Sequence, residues 1–124
     1  MKLHLTQAAG NQLITGYTPD WVAINHQRFE HSVIVLPTEV RTDWQVGDFD
    51  ALKTEDFALL VTLQPEVVLL GTGPKHRFIH PRLIAALTEQ NIAVECMTTD
   101  AACRTYNILM AEGRTVAAAL ILEN

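Results

Sequence analysis

Three runs in this chain are apolar without alternation: Ser-Val-Ile-Val-Leu at 32–36, Val-Val-Leu-Leu at 67–70 and Val-Ala-Ala-Ala-Leu-Ile-Leu at 116–122. A strand with one wet face alternates apolar and polar residues. An unbroken apolar strand has to be covered on both faces. That constraint calls for a central sheet with a layer of structure on each side. The second half of the chain supplies part of the cover, because strand and helix signals alternate there. Thr54-Glu55-Asp56 opens a short helix predicted to run to about Leu63, and Pro65 closes it. Residues 67–70 are a strand. Residues 81–90 are a helix with Pro81 in its first turn. Residues 92–96 are a strand, 99–112 a helix with Gly113 as its C-cap, and 116–122 the last strand. This βαβαβ order favours a parallel sheet.

Two such helices cannot cover every apolar face, so the N-terminal third is expected to form an extra layer or extend one edge. It is strand-like. Residues 13–17 and 21–24 are separated by the turn signal Thr18-Pro19-Asp20, and Asn25-His26-Gln27 is a second turn candidate. One long strand is predicted from about residue 28 to 36, stopping at Pro37. Residues 38–50 read as a loop carrying Trp44, with Gly47 and Asp48 as breakers. The expected architecture is α/β: a single three-layer domain over 1–124, with a mixed, mainly parallel central sheet, helices packed on it and a β-rich N-terminal portion.

Charge and length exclude several classes. The net charge of −5 over 124 residues argues against a general nucleic-acid binder, which needs a basic footprint. No run approaches the roughly 20 apolar residues of a transmembrane helix. The opening Met1-Lys-Leu-His-Leu-Thr has no signal-peptide core and no transit-peptide arginines. The chain is therefore expected in the cytoplasm, with Cys96 and Cys103 as reduced core residues.

The helix at 99–112 carries two chemically different faces. Cys103, Tyr106 and Met110 fall at i, i+3, i+7 and suit a core. Asp100, Arg104 and Asn107 fall at i, i+4, i+7 as a polar stripe. Asp100 and Arg104 alone would make an ordinary helix ion pair, worth about 0.2–0.5 kcal/mol.

Gly71-Thr72-Gly73 follows a buried strand, where glycines in α/β sheets let backbone N–H groups approach a ligand. The dinucleotide fingerprint fails, since its third glycine would fall at His76, and no Walker-type Gly-Lys-Ser/Thr follows. Residues 67–88 contain no acid but hold Lys75, His76, Arg77, His80 and Arg82. This positive loop, the glycine turn and the helix start at Thr98-Thr99 define a candidate small-molecule or anion site. Its expected members are Gly71, Thr72, Gly73, Arg77, Thr99, Arg104 and Asn107. His76 and His80 have no third ligand nearby, so no metal is expected. The one serine, Ser32, lies in a buried strand without nucleophile-elbow glycines, so no triad is expected. Cys103 falls on the apolar face. No catalytic residue and no cofactor are assigned.

The motifs as a set resemble a known family. They are Ile-x-x-Tyr at 14–17, Ile24-Asn25, Ser-Val-Ile-Val-x-Pro at 32–37, Trp44, Gly-Thr-Gly at 71–73 and Ile-x-Val-Glu at 92–95. Thr-x-x-Ala-Cys-x-Thr-Tyr-Asn-x-Leu-x-x-Glu-Gly-Arg at 99–114 and Val-x-Ala-Ala-Leu at 116–120 complete them. The sequence is similar to a small α/β domain of unknown function found in bacteria and archaea. Its mitochondrial member is an assembly factor for respiratory complex I (NADH:ubiquinone oxidoreductase). The resemblance implies a compact three-layer fold with a mixed sheet, no established enzymatic activity and a protein partner. Gly71, Gly73, Thr99, Arg104 and Asn107 match the motif, and their role in the family is unassigned. Three readings compete: a non-catalytic interaction or assembly protein; a small-molecule or anion-binding protein, with or without catalysis; and an orphan fold whose polar stripe only staples helix to sheet.

Overall fold

A computed structural model describes residues 11–123. His4 and the reading of the first six residues lie outside them. Eight strands form two sheets. The first sheet is a meander of β1 (Ile14–Thr18), β2 (Trp21–Ile24) and β3 (Gln27–Phe29), antiparallel throughout. The second contains β4 (Val33–Leu36), β5 (Glu39–Arg41), β6 (Val67–Gly71), β7 (Ala93–Met97) and β8 (Val116–Leu120), in the order β5-β4-β8-β6-β7. It is mixed: β8, β6 and β7 run parallel, while the β4–β5 hairpin joins β8 antiparallel. Helices α1 (Ala58–Leu63), α2 (Ala85–Glu89) and α3 (Thr99–Ala111) connect or flank the strands.

The unbroken apolar strands are covered on both faces. Val33, Val35, Val67, Leu69, Val116, Ala118 and Leu120 point into one core, with Cys103, Tyr106 and Met110 of α3 and Ile14, Val22 and Ile24 of the small sheet. Ile34, Leu36, Val68, Leu70, Ala117 and Ala119 point into the other, with Trp44, Phe57, Leu60 and Leu87. The N-terminal meander is thus the extra layer that the helix count required, packed beside α3. Chirality explains which helix lies where. The crossover β6–α2–β7 steps one way across the sheet and β7–α3–β8 steps back. Right-handed crossovers in opposite directions must use opposite faces.

Several elements differ from expectation. The predicted strand 28–36 is two strands in two sheets, because exposed Glu30 and His31 cannot enter a sheet covered on both sides. The chain crosses between layers there, and buried Ser32 accepts a hydrogen bond from Leu122 N–H at 3.0 Å. The predicted loop 38–50 contains β5, too short for its alternation to register, paired across the turn at Pro37-Thr38. Both short helices begin as 3-10 turns, Thr54–Phe57 and Pro81–Ile84, before continuing as α1 and α2. Gln64, at φ 53°, ends α1 just before Pro65.

Leu69 is fully buried at the centre of the first core. Replacing it with Ala should cost about 2–5 kcal/mol in urea unfolding. A variant as stable as wild type would undo this strand's assignment.

Candidate functional site

The glycine turn and the start of α3 meet at the carboxyl edge of the sheet. Thr99 N–H donates to Gly73 O at 3.0 Å. Gly73 N–H donates to Thr99 Oγ1 at 2.8 Å, and that hydroxyl donates to Ile121 O at 2.9 Å. A Cβ on Gly71 would stand 3.0 Å from both Cα and Oγ1 of Thr99 and 3.3 Å from Leu120 Cδ2, so glycine is what lets the helix start sit this close. Gly73 has φ +95°, a conformation natural to glycine. Adjacent strands β6 and β7 send their connections to opposite faces, the arrangement that opens a crevice in α/β sheets. Here the chain itself fills much of that crevice. Thr72, 1% exposed, donates its hydroxyl to Lys75 O, with Met97 O also 3.1 Å away, and accepts Arg77 N–H at 3.2 Å. Thr72 N–H donates to Met97 O at 2.8 Å.

The first turn of α3 is also self-capped. Thr98 Oγ1 and Asp100 Oδ1 both accept from Ala101 N–H. The Thr98 hydroxyl, followed by Ala101 N–H and Arg104, holds the exposed Asp100 carboxyl below the usual carboxylate range. A carboxylate therefore already occupies the positive end of the helix. Beside it lies a cleft of about 290 Å³ lined by Tyr17, Pro19, Gly73, Pro74, Thr99 and Ile121 among others. Arg104 stands at its mouth, donating to Tyr17 OH at 3.1 Å and 3.6 Å from Asp100.

The seven expected site residues thus separate. Gly73 and Thr99 line the cleft, Arg104 touches its wall, and Gly71 and Thr72 hold the turn behind it. Arg77 turns away, ion-paired with Asp50 and stacked 4.5 Å over the Phe49 ring. Asn107 lies along β1. Its amide donates to Ile14 O at 2.8 Å and accepts from Ile14 N–H at 3.0 Å, pairing like a neighbouring strand. Tyr106 OH donates to Gln12 O at 2.7 Å on the same side. Within the Asp100–Arg104–Asn107 stripe, Arg104 and Asn107 therefore tie α3 to the meander, while Asp100 caps the helix start. Tyr17, Pro19, Pro74 and Ile121 were not identified from sequence. Tyr17 stood in the Ile-x-x-Tyr motif, but only the docking of the meander places it by the helix start.

Burial pushes the Cys103 thiol up to about 12, so it stays protonated and unreactive. Burial likewise raises the half-buried Cys96. Among the described residues, no buried side-chain nitrogen or oxygen lacks a partner, and no group of three His, Cys, Asp or Glu side chains stands together.

Thr99→Val should destabilise the fold by about 1–3 kcal/mol, because it strands Gly73 N–H and Ile121 O. Urea melts check this, and an unchanged midpoint would show that these two hydrogen bonds add no net stability. Thiol labelling near neutral pH should modify Cys96 first and Cys103 only on unfolding. Equal rates in the native protein would contradict the burial of Cys103.

Over residues 14–121 the sequence matches the family described as protein of unknown function (DUF498/DUF598). It is 37% identical over 110 residues to NADH dehydrogenase (ubiquinone) 1 alpha subcomplex assembly factor 3 of Mus musculus, covering 87% of this chain and 59% of that protein. The chain thus spans about three fifths of that relative's length. It is 30% identical over 100 residues to the 13 kDa major membrane protein of Francisella tularensis, covering 79% of this chain and 80% of that one. The crystal structure of a Bordetella parapertussis protein superposes with TM-score 0.84 at 35% identity, covering 90% of this chain and 96% of the other. The family match runs from β1 through β8, and the chain belongs to the DUF498/DUF598 family.

Proposed function

We propose that this protein is a non-catalytic interaction protein that helps assemble a multi-subunit complex, in the manner of the NADH dehydrogenase assembly factor to which it is similar. The observation that carries the reading is the extent of that similarity, 87% of the chain at 37% identity. The site's chemistry agrees with it. The polar groups at the sheet edge bond to one another, and the buried thiol stays protonated. An active site instead holds poised groups aimed at an incoming substrate. The same proposal keeps the chain in the cytoplasm, where Cys96 and Cys103 remain reduced.

A second reading has the cleft in its favour: a small ligand held between Tyr17, Pro74 and Ile121, with Arg104 at the mouth. Asp100 beside that mouth weighs against an anion. Phosphate titration followed by backbone amide shifts separates the two readings. Shifts confined to Thr72, Gly73, Thr99 and Asp100, and weakened in Arg104→Ala, would favour the ligand.

Affinity capture from the native host, followed by mass spectrometry, tests the assembly reading. Subunits of a respiratory NADH dehydrogenase should co-purify in stoichiometric amount. A chain that purifies alone, or with bound nucleotide or stoichiometric transition metal, would overturn it.

A further inference from the structure

The segment after the glycine turn has an outward face that the sheet-edge site does not use. Residues 76–80 form neither helix nor strand, and their exposure alternates. Arg77 pairs at the surface with Asp50 and the Phe49 ring, and Ile79 packs onto the second core. His76, Phe78 and His80 turn outward, flanked by exposed Lys75 and Arg82. Phe78 is 82% exposed, more than any other large apolar residue among those described. Its one ring contact is edge-to-face with His76, at 4.5 Å. His76 is in turn fixed by its Nε2 at 3.1 Å from Cys96 O, so the aromatic pair is anchored to β7. Neither the Lys75 nor the Arg82 side chain has an acidic partner among the described residues, whereas Arg77, Arg104 and Arg114 do.

We propose that this face is a peripheral contact for an anionic lipid surface, with Phe78 entering the interfacial region and Lys75 and Arg82 meeting headgroup phosphates. The composition is that of interfacial contacts: a projecting aromatic between cations, in a stretch without acid. The shape favours a lipid surface over a folded partner. Phe78 projects from the loop after the glycine turn with 82% of its surface exposed. Aromatic anchors between proteins are instead surrounded by packed contacts that exclude water. Among the described residues no helix is long and apolar enough to cross a membrane. With a net charge of −5 the molecule as a whole is repelled by such a surface, so attraction must come from this local face and weaken with salt.

Co-sedimentation of the purified protein with vesicles tests this. Vesicles of phosphatidylglycerol and phosphatidylcholine in equal parts should pull it down at low salt, and vesicles of phosphatidylcholine alone should not. Phe78→Ser should weaken binding by about tenfold or more. Lys75→Glu and Arg82→Glu should each weaken it by at least about fivefold. Arg28→Glu makes the same change of charge on β3, against the opposite face of the central sheet, and should leave binding within about twofold of wild type. Wild-type protein that stays in solution with anionic vesicles at low salt overturns the proposal. So does vesicle binding that survives Phe78→Ser and both charge reversals. If vesicles fail but the same three variants weaken capture of an acidic protein, the face is a protein-docking surface and the lipid proposal is wrong. The assembly reading would survive that result, because partner capture tests it separately.

Discussion

The strand that every other element depends on is the last one in the chain. β8 lies between β4 and β6, with all five of its residues buried. It joins the antiparallel N-terminal half of the sheet to the parallel C-terminal half, and neither half closes without it. Its centre is Ala117-Ala118-Ala119, fully buried and divided between the two cores. Small side chains there let the layers on both faces close onto the middle of the sheet. A larger residue would push one of them away, since close-packed interiors have little room to adjust.

The carboxyl end of β8 is where the fold is tied together. Ile121 N–H donates to Gly71 O, Ile121 O accepts from Thr99, and Leu122 N–H donates to Ser32 Oγ. Four segments distant in sequence converge on a few hydrogen bonds. Gly71 and Gly73 serve this knot, one by lacking a Cβ and the other by its backbone angle. The same glycines that sequence reasoning associates with a ligand thus have a complete structural occupation. What remains open is the cleft beside the knot, walled by the meander.

The layering was legible because unbroken apolar runs have one physical meaning, cover on both faces. The helix 99–112 and its buried residues Cys103, Tyr106 and Met110 were equally legible from their spacing. Other features depended on partners far away in sequence. Arg77 looked free until Asp50, in a stretch read as featureless loop, took it. Asn107 shared a helix face with Arg104, yet bonds to the backbone of β1, 93 residues earlier. Where the chain passes from one sheet to the other at 30–32, the sequence stays strand-like on both sides. Only the polar pair Glu30-His31 ahead of the continuous apolar run marks the break.

The same tertiary pairing divides what composition had joined. By charge alone, Lys75, Arg77, Arg82 and the start of α3 form one positive patch. In the fold Arg77 is taken by Asp50 and Phe49, which leaves Lys75 and Arg82 exposed on either side of Phe78. Asp100 meanwhile neutralises the helix start and holds Arg104 next to Tyr17. The molecule therefore presents two chemically separate surfaces at this end. One is a cleft with phenol, proline and isoleucine walls and a compensated ion pair at its mouth. The other is an aromatic tip between uncompensated cations. Residues 76–80 take no part in the walls of the cleft, so the aromatic tip stands apart from it.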